Sequence, residues 1–242
     1  MKQIHIGNVK IDNVTAKEAV DFALNAENSP CFVVTPNAVM LSACAKSPVQ
    51  TALLNSASLS LADGMGVKWA ARRQGTPLVA RIAGIEFGEA LLLRAAEDGL
   101  RVFLLGGEDG VAERAAERLK TRFPNLCVCG SFWGYFGSSR EEDERLTSVL
   151  RATHPDILFV CMGFPRQEEW IAAHLDRLSE IRVIAGLGGS LDVWSGRLKR
   201  APRMISKMGF EWAWRMLQEP KKRLSNLPRL VRFGLFGGKG FF

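Results

Sequence analysis

Six short runs of apolar residues alternate along the chain with longer segments whose apolar residues recur at helical spacing. The runs predict strands buried on both faces, because a parallel sheet covered by helices needs apolar residues at consecutive positions. The alternation predicts an α/β fold with a Rossmann-like parallel sheet and helices on both faces. The predicted strands are residues 31–35, 59–62, 101–105, 126–129, 156–161 and 182–185. The predicted helices are residues 38–46, 67–75, 84–98, 110–123 and 140–152. Two more helices are predicted, one that follows a capping box at Thr15-Ala-Lys-Glu18 and one that runs through 170–175.

The pattern changes after residue 199, so we predict an α/β domain at 1–199 and a C-terminal appendage at 200–242. Residues 203–218 mix aliphatic and aromatic side chains with Lys207 and Arg215, and a Gly/Phe-rich end follows. This mixture is typical of a basic amphipathic helix at a membrane surface. A C-terminal helix packed on the body with a solvated basic rim would have the same pattern, so both interpretations stay open.

Charge is distributed unevenly over the 242 residues, which carry a formal net charge of +7. Residues 200–242 hold ten basic and two acidic groups, which leaves 22 basic and 23 acidic groups in the body. A nucleic-acid-binding surface would extend over the body, so nucleic acid is not an expected partner. The terminal block instead favours another anionic partner.

The lengths of the apolar runs and the number of cysteines further restrict the class of protein. No apolar run is long enough to cross a bilayer, and the first residues lack the apolar stretch of a signal peptide. The five cysteines are an odd number and form no CxxC, which predicts free thiols in a reducing cytosol.

Glycines follow three predicted strands, at positions where open α/β sheets bind ligands. Glycine lets backbone N–H groups approach phosphates, although it also simply permits tight turns. Three such turns favour a nucleotide site, but the chain has no GxGxxG, no P-loop and no acidic ribose anchor, which argues against NAD. The turns contain Gly106, Gly107, Gly163, Gly186, Gly188 and Gly189.

Several polar side chains near these turns are candidates for chemistry. Asp63 follows a strand and could act as a general base or cap the helix near Val67. Arg81 could pair with a phosphate or with Asp63, or lie on the surface. Gln167 could contact a sugar or phosphate, or cap its helix. Asp192 could accept a ribose hydroxyl or cap a turn, and Tyr135 could stack on a base or be a partly buried core ring.

Metal-binding and nucleophile motifs are not found. The three histidines are scattered, and there is no HExxH, no GxSxG and no Asp-x-Asp at a strand end. We therefore expect no metal and no cofactor. A diphosphate that leaves in this site would need Arg or Lys to stabilise its charge.

Seven ordered motifs make the chain resemble the WecG/TagA/CpsF glycosyltransferases over residues 3–232. That family moves a sugar from a UDP-sugar to a polyprenyl-diphosphate-linked acceptor at the cytoplasmic face of the bacterial inner membrane. The motifs are Thr35-Pro-Asn37, Asp63-Gly-Met-Gly66, Arg81-Ile-Ala-Gly84, Gly163-Phe-Pro-Arg-Gln-Glu168, Gly186-Leu-Gly-Gly-Ser-Leu-Asp192, Gly196-Arg-Leu-Lys-Arg-Ala-Pro202 and Glu211-Trp-Ala-Trp-Arg215.

The resemblance implies roles for these positions. Asp63 corresponds to the proposed catalytic base, and Thr35 and Asn37 correspond to pocket residues near the reacting sugar. Arg81 and Gln167 lie in motifs that are tied to substrate contacts. The glycine turns, Asp192 and Tyr135 correspond to the UDP-binding edge. The family's appendage is thought to meet the membrane, to close over the site and to supply arginines, of which Arg215 matches one.

Two departures from the family pattern are present. Arg166 stands where Lys is usual, which preserves charge. After Glu219-Pro220, Lys221 and Lys222 precede Arg223, so either Lys222 or Arg223 is expected at the diphosphate, and Lys lacks the bidentate fork of Arg.

The function implied is an inverting, metal-independent transfer of N-acetylmannosamine or N-acetylmannosaminuronate by a peripheral enzyme held on anionic lipid by its tail. Glucose transfer within the same family is an alternative, and a non-catalytic nucleotide- or polyanion-binding protein is an alternative from another class. Self-association of the chain is a further implication.

Overall fold

The computed structural model describes residues 1–25, 27, 30–136, 140–202, 204–205, 210–224, 227–228, 230 and 233, except for the side chains of Lys222 and Arg223. The described strands are β1 (Gln3–Ile6), β2 (Val9–Asp12), β3 (Cys31–Val34), β4 (Leu59–Ser60), β5 (Arg101–Gly106), β6 (Cys127–Phe132), β7 (Ile157–Cys161) and β8 (Val183–Gly186). The helices of the body are α1 (Ala16–Leu24), α2 (Ala38–Cys44), α3 (Pro48–Asn55), α4 (Met65–Arg73), α5 (Gly84–Asp98), α6 (Val111–Arg122), α7 (Arg140–Thr153), α8 (Arg166–His174) and α9 (Ser190–Trp194), with a 3-10 turn at Leu175–Leu178.

Six of the strands form one parallel sheet in the order β4-β3-β8-β7-β5-β6. Every residue of β3, β7 and β8 is buried, as a sheet covered on both faces requires. Successive side chains of β5 lie on opposite faces of the sheet: Val102 packs in the apolar cluster on one face and Phe103 in the cluster on the other. The predicted fold class is thereby confirmed.

Helices cover both faces of the sheet. One apolar cluster joins it to α1, α5, α6 and α9, and the other joins it to α2, α3, α4, α7 and α8. Each fully buried side chain such as Phe103 or Phe159 contributes about 2 kcal/mol through its removal from water. The two clusters therefore fix the positions of the strand ends on which the site is built.

Local sequence explains several of the helix ends. Thr15 and Glu18 form the reciprocal capping box predicted at the start of α1. Ser47 caps α3, with Pro48 in its first turn, and Gly99 ends α5 in the left-handed conformation. The helix predicted over 38–46 is α2, and α3, which starts at the Ser47 cap, was not predicted.

A short antiparallel hairpin of β1 and β2 lies outside the main sheet and was not predicted. Its Asp12 is buried and accepts a hydrogen bond from the Ser60 N–H at 2.8 Å, and the side chain of Gln3 donates to the same carboxylate. Because β4 has only two residues, it forms few hydrogen bonds within the sheet, and the bond from Ser60 to Asp12 adds to them. The hairpin thus helps to hold the strand that leads to Asp63.

The C-terminal segment, residues 200–242, is described in part. It contains the helices Glu211–Gln218 and Pro220–Arg223, and the ring of Phe233 is buried in the cluster that contains α4. None of the helices in the described ranges is both long enough and apolar enough to cross a membrane. The division of the chain at residue 199 and the membrane role of this segment stay predictions.

Candidate active site

The carboxyl ends of the six parallel strands form one edge of the sheet, which we call the carboxyl edge. β5 and β7 are neighbours, but the chain leaves β5 towards β6 on one side and leaves β7 towards β8 on the other. Such a divergence opens the crevice in which open α/β sheets bind ligands. The glycine-lined pocket lies in this crevice, and its walls are Gly107, Glu108, Gly134, Tyr135, Cys161, Met162, Gly163, Arg166, Gly188, Gly189, Asp192, Arg197 and Glu219.

Glycines are needed at the floor of the pocket because backbones approach closely there. Gly106 has a φ of 136°, and a Cβ on it would lie 2.3 Å from the Cys161 carbonyl oxygen. A Cβ on Gly134 would lie 2.7 Å from the Gly106 Cα, and the Gly107 N–H donates to the Cys161 carbonyl at 3.2 Å. Burial raises the pKa of Cys161 to about 12, so this thiol stays neutral.

Gln167 joins two of the glycine turns. Its side-chain Oε1 accepts hydrogen bonds from the N–H groups of Gly163 at 3.1 Å and Gly188 at 2.9 Å. Gln167 is buried, so its side-chain amide holds the turns after β7 and β8 together from inside the protein. Both N–H groups already have an acceptor inside the protein, and phosphate binding by these two glycines stays a prediction.

Glu168 sets the orientation of the Gln167 amide. Its Oε1 accepts from Gln167 Nε2 at 2.7 Å, which directs Gln167 Oε1 towards the two turns. The carboxyl group is fully buried, and its Oε2 finds no partner among the described residues. Burial raises the pKa of Glu168 to about 7. Gly186 borders the pair, because a Cβ there would lie 2.8 Å from Gln167 Nε2.

Arg197 forms ion pairs with three carboxylates at the mouth of the pocket. It contacts Asp192 at 3.3 Å, Glu108 at 3.0 Å and Glu219 at 3.5 Å. Asp192 lies in the first turn of α9, whose cap residue is Gly189, and it lines the pocket. Because Glu219 lies in the C-terminal segment, Arg197 connects that segment to the pocket.

Tyr135 and Arg166 form a wall of the pocket. The Tyr135 ring is 53% exposed, so the alternative of a buried core ring is wrong. The Arg166 guanidinium lies 5.6 Å from the centroid of this ring and 5.8 Å from that of Phe136, and it donates to the Phe136 carbonyl at 3.1 Å. An exposed ring beside a cation offers a flat surface for a base.

Asp63 lies at the other end of the carboxyl edge, after β4. Its N–H donates to the Pro36 carbonyl at 2.9 Å, and its Oδ2 accepts from the Gly84 N–H at 3.4 Å. Gly64, with a φ of 90°, is the cap residue of α4 and makes no side-chain capping bond. The alternative that Asp63 caps this helix is therefore wrong. Strand spacing places β4 about 14 Å from β7, across β3 and β8.

The charges around Asp63 determine its proton affinity. Burial raises its pKa to about 6, the guanidinium groups of Arg215 and Arg81 lower it, and the carboxylate of Glu211 raises it. Arg215 is held by Glu211 at 3.1 Å, one turn earlier in its helix. Arg81 also forms a two-pronged ion pair with Glu86, at 3.1 and 3.0 Å, and a contact with phosphate stays a prediction.

Two predicted pocket residues already have partners in the protein. The buried Thr35 hydroxyl donates to the Gly186 carbonyl at 3.2 Å, which ties the end of β3 to that of β8. The Asn37 Oδ1 accepts from the N–H groups of Val39 and Met40 and so caps α2. A role for either residue at the sugar stays a prediction.

The predicted diphosphate contacts of Lys222 and Arg223 lie outside the described side chains. Sequence reasoning missed Arg197, Glu168 and Glu108 as site residues. Arg197 and Glu168 stand inside quoted motifs, so a charged residue beside a predicted one was the available signal. No group of three or more metal-binding side chains is found within the described ranges.

Comparison with known proteins identifies relatives of this chain. The model of the WecG/TagA/CpsF glycosyl transferase family matches residues 4–236. The chain is also similar to two proteins of Staphylococcus aureus, from strains MW2 and MRSA252, each named N-acetylglucosaminyldiphosphoundecaprenol N-acetyl-beta-D-mannosaminyltransferase. Each is 37% identical over 232 residues, which cover 93% of this chain and 89% of the relative.

Proposed function

The chain belongs to the WecG/TagA/CpsF family of glycosyltransferases, and from that premise we propose that it transfers N-acetylmannosamine from UDP to a polyprenyl-diphosphate-linked saccharide. The Staphylococcus aureus relatives are named for this sugar and for an undecaprenol-linked N-acetylglucosamine acceptor. These names favour N-acetylmannosamine over the uronate and over glucose. The product contributes to a polysaccharide of the cell surface.

Asp63 is the general base of the proposed reaction. The acceptor hydroxyl oxygen bonds to the anomeric carbon while the bond from that carbon to the UDP oxygen breaks, and Asp63 takes the hydroxyl proton. The observation that carries this assignment is the position of Asp63: a partly buried carboxylate at a strand end, facing Arg215 and Arg81, with a pKa of about 6. At neutral pH it is ionised and yet close enough to its pKa to accept a proton.

The glycine-lined pocket is the proposed site for UDP. Tyr135 and Arg166 offer a surface for the base, Asp192 an acceptor for a ribose hydroxyl, and Arg197 a cation near the diphosphate. A nucleotide here would extend its sugar along the carboxyl edge towards Asp63. Thr35, Asn37 and the Gln167-braced turns lie between the two ends of this path.

A single displacement would invert the anomeric centre. The names of the relatives specify a β-mannosaminyl product, which one displacement gives from an α-linked UDP donor. We propose that arginines, Arg215 among them, and either Lys222 or Arg223 meet the charge of the leaving diphosphate without a divalent cation. The electrostatic effect of Arg215 on Asp63 supports a position near the reacting atoms.

The acceptor places the enzyme at a membrane. We propose that residues 200–242 hold it peripherally on anionic lipid at the cytoplasmic face of the inner membrane, where the lipid-linked acceptor lies. Glu211 and Arg215 beside Asp63, Phe233 against α4 and Glu219 on Arg197 support an appendage that covers the site. Self-association is proposed as well and is measured by light scattering.

Donor and acceptor assays test the function. The purified chain is given UDP-N-acetylmannosamine, its uronate or UDP-glucose with a polyprenyl-diphosphate N-acetylglucosamine acceptor, and released UDP and glycolipid are measured with and without EDTA. We expect the first donor to be used, a β-linked product by NMR, and turnover that survives EDTA. Tight UDP binding without transfer from any donor would instead identify a non-catalytic binding protein.

A further inference from the structure

The outward side of α4 carries an unusual combination of side chains for a catalytic body. We call it the α4 outer face; it consists of Lys68, Trp69, Arg72 and Arg73. Spacings of three and four residues place these four on one side of the helix, opposite the buried Val67, Ala70 and Ala71. All four are exposed, and Trp69 retains 50% of its accessible surface.

The charged side chains of this face are all positive. Residues 64–85 contain Lys68, Arg72, Arg73 and Arg81 and no acidic residue. Within the described part of the chain, neither Lys68 nor Arg72 forms an ion pair, whereas Arg94 on α5 contacts Asp21, Glu97 and Asp98. Arg72 also suits the carboxyl end of the helix dipole, but that preference explains neither Lys68 nor an exposed tryptophan.

The α4 outer face belongs to the helix that starts beside the proposed base. α4 begins at Met65, two residues after Asp63. The ring of Phe233 packs against Gly66 in its first turn, since a Cβ there would lie 3.5 Å from that ring. The C-terminal segment therefore reaches the first turn of α4, close in sequence to Asp63.

We propose that the α4 outer face is a second membrane-contact surface, in which Lys68, Arg72 and Arg73 meet anionic lipid headgroups while the Trp69 ring enters the interfacial layer. Tryptophan is favoured at that depth because its ring is apolar and its N–H can still reach water. This inference goes beyond the function proposed above, in which only residues 200–242 contact lipid. It gives the body a lipid contact of its own, on the helix that follows Asp63.

A bilayer fits this face better than a second copy of the chain does. A two-fold interface would place the same patch on both partners, so that cations without carboxylates would face cations. An anionic membrane instead attracts each surface cation by about 1 kcal/mol, or about fivefold in partitioning. The neighbouring cations provide electrostatic attraction to anionic lipid, and the Trp69 ring provides apolar area that is buried at the interface.

The test measures binding of the full-length protein to acceptor-free vesicles of phosphatidylcholine with and without phosphatidylglycerol. Lys68→Gln/Arg72→Gln should weaken partitioning to the anionic vesicles by about 25-fold at low salt. Trp69→Ala should weaken it severalfold with less dependence on salt. The matched control is Lys120→Gln/Arg151→Gln, which removes the same charge from exposed positions in the last turns of α6 and α7.

These control positions lie on helices that pack against β6, at the far end of the six-stranded sheet from β4, the strand that leads into α4. We expect the control variant to change binding by less than about twofold, since its charges lie beyond a screening length from the bound face. Melting curves confirm that each variant is folded, as expected for exposed positions.

Several outcomes would overturn the proposal. Equal losses in the test and control pairs would show a net-charge effect alone, and no loss in the test pair would remove α4 from the contact. A Trp69→Ala variant that changes oligomeric state but not vesicle binding would assign the face to a second copy. A loss seen only with acceptor-loaded vesicles would assign the cations to the acceptor diphosphate. None of these readouts requires glycosyl transfer, so they are independent of the proposed function.

Discussion

The two ends of the carboxyl edge are built in different ways. At the glycine-lined pocket, the body supplies nearly all of the walls: Gln167 braces two turns, and Arg197 pairs with Asp192 and Glu108. At Asp63, the charges that set the pKa come largely from Glu211 and Arg215 in the C-terminal segment. The pocket end is thus nearly complete in the body, whereas the Asp63 end is completed by the segment expected at the membrane.

This difference suggests a separation between binding and reaction. Changes at the pocket end should act on UDP affinity, and changes at the Asp63 end should act on turnover and its pH dependence. In such an arrangement, a nucleotide can bind before the C-terminal segment is in place, while proton transfer depends on that segment. Three predictions test this separation.

The largest effect is expected at Asp63. Asp63→Asn removes the proton acceptor and should lower kcat by about 10²–10⁴-fold, with UDP affinity unchanged. Product formation and UDP titration calorimetry measure the two effects. Asp63→Glu is the matched variant, and it should retain part of the activity because it keeps a carboxylate. Full turnover by Asp63→Asn would remove this residue from the mechanism.

An intermediate effect is expected at Gln167, at the pocket end. Gln167→Ala leaves the N–H groups of Gly163 and Gly188 without their acceptor, and each such loss costs about 1–3 kcal/mol. UDP affinity should fall about tenfold and the melting temperature should drop by several degrees.

Glu168→Gln is the control for that change. It keeps an oxygen to accept from Gln167 Nε2, so the brace across the turns should persist and UDP affinity should change much less. Comparable losses in UDP affinity for both variants would show that burial of polar groups at this position, and not the brace itself, supports the pocket.

The smallest effect is a displacement of the pH profile. The base must be ionised, so kcat/KM should fall below the Asp63 pKa of about 6, tenfold per pH unit. Because Arg215 lowers this pKa and Glu211 raises it, Arg215→Gln should move the acid limb to higher pH and Glu211→Gln to lower pH. Arg215→Lys, which keeps the charge, should move it least.

Shifts of the same sign in Arg215→Gln and Glu211→Gln would contradict the electrostatic explanation. They would indicate that the Glu211–Gln218 helix acts on Asp63 by position alone. An unchanged profile in both variants would show that this helix does not lie beside Asp63 during the reaction, and the contrast between the two ends of the edge would then be lost.

The body of the fold was predictable where local signals were strong. The strands of the parallel sheet follow from continuous apolar runs, and α5 was predicted with the bounds Gly84–Asp98 because its apolar stripe ends at a glycine. The β1–β2 hairpin and α9 were not predicted, since each is short and is held by contacts distant in sequence, such as that of Asp12 with Ser60.

The candidate site was predictable as a set of positions but not as a set of contacts. Asp63, Asp192 and Tyr135 were identified, and the structure places the latter two on one pocket with Gly107, Gly163, Gly188 and Gly189. The pair of Arg81 with Glu86, five residues along the chain, is local but was not considered. The brace formed by Gln167 could not be foreseen, because it depends on the turns after β7 and β8 becoming neighbours once those strands lie side by side.

The sequence alone determined the strand and helix order, the glycine turns and the candidate groups, because each is encoded by residues close together along the chain. The tertiary structure decided what those groups do to one another. Gln167 joins turns 25 residues apart, at Gly163 and Gly188, and Arg197 contacts Glu108, which lies 89 residues earlier in the chain. Arg215 and Asp63 are distant in sequence, and only the folded chain brings a cation to a carboxylate whose burial alone would raise its pKa further.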